Sequence, residues 1–327
     1  MSTILSRAGL VAAVAFGVAA CGGGGSSSPV TPDSPDQNVL GLSASNYLAV
    51  GQASMSSAFY LGNASGLVSG SASGRVGGAG ALRHAQAAGR PQALAVVGPI
   101  AVPCDQGGSL SVTFSDLNNN GEFEVGDSLS LDAAACKLDG AVTQGRVDLS
   151  LQSLTGVYGS RSFSAGLTLK LTAFGVSQGS NSLLGDGSLT ASFSQTVAGT
   201  SEFGLTVPRL SLTGRVAGQS FSTTLTDVQL SLKEDTVNGS ARIRFTYGGT
   251  LLSSVFDNKQ VQVSTPQELV IQGSDDYPSS GVLLVRGKGN STLRITAVNA
   301  VQARLELDAE GDGVFEASVL KNWADLR

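Results

Sequence analysis

Residues 116–127, Asp-Leu-Asn-Asn-Asn-Gly-Glu-Phe-Glu-Val-Gly-Asp, space oxygen-bearing side chains along a short stretch. Asp116, Asn118 and Asn120 take positions 1, 3 and 5 of twelve, Glu124 takes position 9 and Asp127 position 12. Glu122 at position 7 adds a further carboxylate, Gly121 at position 6 permits a sharp turn, and Phe123 at position 8 is apolar. Several hard oxygens at fixed reach let a tight loop wrap one calcium ion. The competing expectation is a plain hairpin, with Asn120-Gly121 forming a primed turn and its carboxylates merely solvated. A second, weaker run lies at residues 307–316, where Asp308, Glu310 and Asp312 alternate before Gly313. Its position 12 is Val319, which offers no ligand, so a tight turn between strands at 304–307 and 314–320 accounts for it without metal.

The first stretch resembles the calcium loops of EF-hands and, with Asp127 closing it, of dockerins. Its flanks, Ser109–Ser115 and Ser128–Asp132, alternate as strands do, so the resemblance extends to the loop and not to flanking helices. A calcium loop of this type outside the cytosol binds at roughly 0.1–1 mM.

Other chemistry is sparse. His84 is the only histidine, so zinc has no set of His and Cys ligands. There is neither a G-x-S-x-G elbow nor a phosphate-cradling G-K-[ST]. Ser318 and Lys321 have S-x-x-K spacing inside an expected strand, where the pairing reads as chance. No spacing selects a catalytic pair among the carboxylates, and a non-enzymatic protein is expected.

Two cysteines remain once the N-terminus is understood. Residues 1–20 carry one charge, Arg7, before a short apolar run, the pattern of an export signal. Val18-Ala19-Ala20-Cys21 resembles the lipobox of bacterial lipoproteins. That resemblance implies cleavage before Cys21, lipidation of its thiol and, with Gly22 following, sorting to the outer membrane. The anchor would hold the chain to a membrane without spanning it. Residues 21–36, rich in Gly and Ser and stiffened by Pro29, Pro32 and Pro35, form a tether. In an oxidising compartment Cys104 and Cys136 are expected to pair.

The elements that must position these groups are mostly strands. Beyond Val96 the chain alternates: Val147, Leu149 and Leu151 interleave with Asp148 and Ser150, and Leu167, Leu169 and Leu171 repeat the pattern. Period two describes half-buried strands. Gly185-Asp186-Gly187, Asn238-Gly239, Gly248-Gly249 and Gly289-Asn290 punctuate them. Leu48, Met55, Ala58 and Phe59 stand at helical spacing within Ser45–Leu61, with Ser45 as the expected cap. Gly62–Pro91 reads as a long Gly/Ala/Ser-rich loop that carries Arg75, Arg83 and Arg90.

The expected architecture is mainly β: a large curved antiparallel sheet or open half-barrel with one N-terminal packing helix. The expected units are the signal (1–20), the tether (21–36), helix plus loop (37–98) and a β domain (99–327). With 6% aromatics, girdles for a membrane barrel are scarce. The chain resembles β-rich envelope lipoproteins, and at fold level the open barrels of periplasmic lipid carriers, which implies an apolar ligand or an envelope partner. With 25 acidic against 20 basic residues, nucleic acid is not expected as a partner. The alternative is a secreted carbohydrate-active enzyme or binding module with a calcium loop; one Trp and 5 Tyr leave little for sugars to stack on.

Overall fold

In a computed structural model, the described residues are 38–69 and 96–326, apart from 122, 139–140, 158–159, 161, 198, 217 and 274. Alternation produces one fourteen-stranded antiparallel sheet whose strands follow in chain order. The strands are β1 (Val96–Pro103), β2 (Ser109–Ser115), β3 (Ser128–Leu138), β4 (Ala141–Gly156), β5 (Phe163–Gln178), β6 (Asn181–Gln195) and β7 (Ser201–Val216). They continue as β8 (Gln219–Val237), β9 (Ser240–Ser253), β10 (Lys259–Gln272), β11 (Ser280–Arg286), β12 (Thr292–Ala297), β13 (Gln302–Asp308) and β14 (Ala317–Asn322). The one α-helix among the described residues, α1, spans Tyr47–Ser69. The architecture is the expected open, mainly antiparallel sheet with an N-terminal helix.

Register places the apolar set on one face. Leu151, Leu167, Ala191, Leu205, Leu230 and Tyr247 lie opposite one another across β4–β9. All six are buried. The neighbouring row on the outer face is Asp148, Lys170, Ser188, Arg209 and Thr226. A one-residue slip would exchange the two faces, so burial itself pins the pairing.

The sheet curves around α1, which packs on β6–β8 and on β12–β13 at once. Tyr47, Val50, Ser54, Met55, Ser57, Ala58 and Leu61 form its buried side. A Cβ added at Gly51 would stand 2.9 Å from Leu305 Cδ2, so small size lets the helix approach β13 closely. The Ser57 hydroxyl donates to Ala53 O at 2.8 Å and also bonds the Tyr247 hydroxyl, joining helix to sheet. Further along, Phe59 meets Tyr277 at 6.1 Å and Trp323 at 6.5 Å, both edge-on. Trp323 is fully buried and its Nε1 donates to Pro278 O and Asn299 O.

Three local expectations change. Ser45 does not cap α1; its hydroxyl pairs with that of Ser43, and the helix begins at Tyr47. Leu48 lies on the outer side of the helix, 38% exposed, because the buried stripe runs through residues 47, 50, 54, 58 and 61. Residues 62–69 continue the helix instead of starting a loop, while 70–91 fall outside the described residues. Among the described residues, no helix is long and apolar enough to cross a membrane.

In a meander the turns alternate between two ends. Residues 39–42 mark the near end: Leu40 N donates to Gln260 O, Lys288 N donates to Leu40 O, and Leu42 N donates to Ser291 Oγ. The β1–β2, β3–β4 and later odd-to-even turns share that end, and β2–β3, β4–β5 and the rest form the far end.

Candidate metal centres

Two turns, at opposite ends of the sheet, have the same internal structure. The far-end β2–β3 turn contains 116–127 and the near-end β13–β14 turn contains 308–316. Aligned on Asp116 and Asp308, both read Asp-x-(Asn/Glu)-(Asn/Gly)-(Asn/Asp)-Gly-x-Phe-Glu.

Each loop winds around its first carboxylate. Asp116 is buried and accepts from Asn119 N and Gly121 N, both at 2.6 Å. Asp308 is buried likewise and accepts from Gly311 N at 2.6 Å, Asp312 N at 3.2 Å and Gly313 N at 2.9 Å. These bonds require left-handed backbone at matching positions: φ is 62° at Asn119 and 77° at Gly121, against 74° at Gly311 and 89° at Gly313. That need explains the Asn and Gly there. The phenylalanine at position 8 fastens each loop to the sheet. Phe123 packs on Phe114 at 5.8 Å, and Phe315 lies 4.0 Å from the Arg294 guanidinium.

The loops differ in which carboxylates converge. Asp308, Asp312 and Glu316 each bring an oxygen within 4.8 Å of the others, an arrangement that could hold a metal ion. Three carboxylates so close repel one another unless a cation sits among them. Asp312 also accepts from Val314 N at 2.8 Å, and Glu316 from Ala309 N at 2.9 Å. Glu310 is exposed and stands outside this cluster. In the far-end loop Glu124 takes the place of Glu316 and accepts from the Asn118 amide at 2.6 Å. Asp127 is buried, and its two oxygens accept from Leu117 N at 2.8 Å and Glu124 N at 2.7 Å. It clasps both sides of the loop. Asn120 is exposed, its backbone N donating to Asn118 Oδ1. Glu122 lies outside the described residues. Asn120-Gly121 is not a two-residue primed turn, since Asn120 lacks positive φ.

Glu316 is the residue that spacing alone missed. A twelve-residue template looks for the closing ligand at Val319, which instead pairs with Leu305 inside the sheet. The signal was present at position 9, where Glu124 and Glu316 correspond.

The cysteine pair is closed: Cys104 and Cys136 form a disulfide with Cα atoms 5.4 Å apart. It ties the β1–β2 turn to β3, beside bonds from Gln106 N to Lys137 O and Lys137 N to Gly107 O. Cys21 and His84 lie outside the described residues. Ser318 and Lys321, three apart on β14, point to opposite faces of the sheet. A groove of about 400 Å3 crosses the outer face, lined by Ser164, Ser192, Ser194, Ser231 and the Glu202–Lys233 pair. Its one carboxylate, Glu202, is held by Lys233 at 3.1 Å. Comparison with known protein families, curated proteins and solved structures finds no match to this chain.

Proposed function

We propose that this chain is an outer-membrane-anchored lipoprotein, held through lipid on Cys21 and facing periplasm or exterior, that binds an apolar ligand or an envelope partner without catalysing a reaction. The observation that carries the binding reading is the extent of the apolar inner face. One continuous buried cluster runs from Val112 on β2 to Leu326, in a sheet whose β1 and β14 are not paired to each other. An open curved sheet of this breadth, holding a helix of small residues, suits uptake of an apolar molecule between helix and strands. Calcium is the proposed occupant of the carboxylate cluster in the 308–316 loop and of the related 116–127 loop, since hard oxygens alone are offered. Its role is structural. The carbohydrate-binding alternative loses its only tryptophan, because Trp323 is locked in the core.

Native mass spectrometry of the mature protein from its host tests the ligand. A reproducible co-purifying lipid is the expected result, and protein recovered repeatedly without one overturns the carrier reading. Fractionation of the Cys21→Ser variant tests the anchor. Release from membranes to the soluble fraction is expected, and undiminished retention by detergent-sensitive means other than the thioether lipid defeats it.

A further inference from the structure

At the near end the β10–β11 ladder stops before β10 does. Its last pair there is Gln262 with Arg286, yet β10 runs on to Lys259, still paired with Ser253 of β9. Residues 39–42 fill the gap as a strap. Val39 bridges Gln260 in parallel, Leu40 N donates to Gln260 O at 2.9 Å, and Lys288 N donates to Leu40 O at 2.8 Å. Leu42 N donates to Ser291 Oγ at 3.1 Å. Leu40 and Leu42 are buried and belong to the core cluster. Gly287 lets the strap come close. A Cβ there would run into Leu40 O, although φ of −113° and ψ of −164° are ordinary extended backbone.

Strap and helix form one unit. Asn46 Nδ2 donates to Gly41 O at 2.9 Å, Ser43 N donates to Asn46 Oδ1 at 2.9 Å, and Tyr47 N donates to Ser43 O at 3.1 Å. α1 itself is lightly seated. Its sheet-facing side includes Gly51, Ser54, Ser57 and Ala58, which bring little apolar surface out of water. Ser54 Oγ is buried with no hydrogen-bond partner among the described residues, a bond forgone on folding. The strands, by contrast, satisfy one another along ladders in which α1 has no part. We propose that residues 39–42 are a latch that holds α1 in the sheet and controls access to the apolar inner face. With the latch open, the N-terminal half of α1 lifts from Leu293 and Leu305 beside Gly51, while Phe59 stays packed on Tyr277 and Trp323. An element with few apolar contacts opens locally without the rest of the fold. Access for a ligand rests on the binding reading above; the hold on α1 does not.

The test uses the mature chain, residues 21–327, carrying Cys21→Ser so that it is free of lipid. Hydrogen exchange followed by mass spectrometry reads α1 and the strands separately. Gly287→Ala adds a methyl whose nearest neighbours are Leu40 O, Ser291 Oγ and Leu42 Cγ, all parts of the latch. Amides of α1 up to Ala58 are expected to exchange about tenfold faster than in the parent, with β4–β8 at parent rates. Ser291→Ala removes the acceptor of Leu42 N without adding bulk, and is expected to speed α1 exchange by roughly threefold. It keeps the test sound should Gly287→Ala fail to fold. Gly179→Ala, at the near-end β5–β6 turn with open space around it, should leave α1 exchange as in the parent. Unchanged α1 exchange in the latch variants overturns the proposal, and so does protection lost equally from α1 and the strands. Binding of N-phenylnaphthylamine, an apolar dye, separates the latch from the ligand. Faster dye uptake by Gly287→Ala than by the parent supports both. Faster α1 exchange with dye bound by neither chain supports the latch and overturns the apolar-ligand reading.

Discussion

At the scale of single residues, the carboxylates of the 308–316 cluster separate into two kinds. Asp308 is both the scaffold of its loop and a member of the triad, whereas Asp312 and Glu316 are exposed and stand in the triad at lower structural cost. Asp308→Ala should therefore destabilise the protein by about 2–3 kcal/mol even without ions, since it strands several N–H groups, as denaturant unfolding would record. Asp312→Asn with Glu316→Gln should leave the ion-free protein nearly unchanged, yet reduce the rise in melting temperature on adding millimolar calcium. An identical calcium response in parent and variant would count against the site. Tyrosines give a pH signature. Burial pushes the Tyr60 hydroxyl up to about 12 and pushes Tyr247 up further, the Ser57 bond opposing it only in part. A raised folded value means the stabilisation is complete below the unfolded value of 10.0 and is lost as pH climbs through the folded one. Alkaline unfolding in the window from about 10 to 12 is expected, with absorbance at 295 nm showing these two phenols ionising only as the fold opens. Asp148 behaves in the opposite sense. Its hydrogen bond from Arg146 lowers its carboxyl from 3.8, so that contribution is present above that value and fades as pH falls below it; solvent exposure keeps it small.

At the scale of elements, the strands are long and the bulges accommodate them. β4 pairs with β3 and β5 with a register shift near Gly145, whose φ is 86°. A Cβ at that position would run into the Ala173 carbonyl of β5. Gly145→Ala should cost about 2–4 kcal/mol through strain and backbone displacement, read as a lowered denaturant midpoint, while Gly179→Ala, with open space around it, should cost less than half as much. Most of this layer was legible in the chain. Leu167, Leu169 and Leu171 alternate because a strand presents every second side chain to one face, and Asn238-Gly239 turns with both φ positive, 53° and 79°. α1 was less legible. Its buried stripe uses Tyr47, Val50, Ser54 and Ala58, and Ser and Ala give almost no hydropathy contrast to betray a face.

At the scale of the whole molecule, a serial meander makes each strand depend on its neighbours, and the disulfide binds the first three strands into one unit. With Cys104 and Cys136 separated by 32 positions in the chain, replacing both by Ser should cost about 3–4 kcal/mol in the chain-entropy account, seen as a lower thermal midpoint with β-dominated circular dichroism retained. What the sequence by itself determined was local and periodic: strands, turns, a cysteine pair, and a turn rich in oxygen-bearing side chains at 116–127. Those follow from the two-residue repeat of a strand and from the backbone angles that Gly and Asn tolerate, neither of which needs a partner distant in the chain. Only the tertiary structure decided that Asp308, Asp312 and Glu316 converge while Asp127 spends both oxygens on backbone N–H groups. The same holds for Trp323, which closes the core beside Phe59. These outcomes depend on register accumulated over fourteen strands and on where each phenylalanine finds a neighbour. Such sums are set by packing across the sheet, and no short stretch of chain contains them.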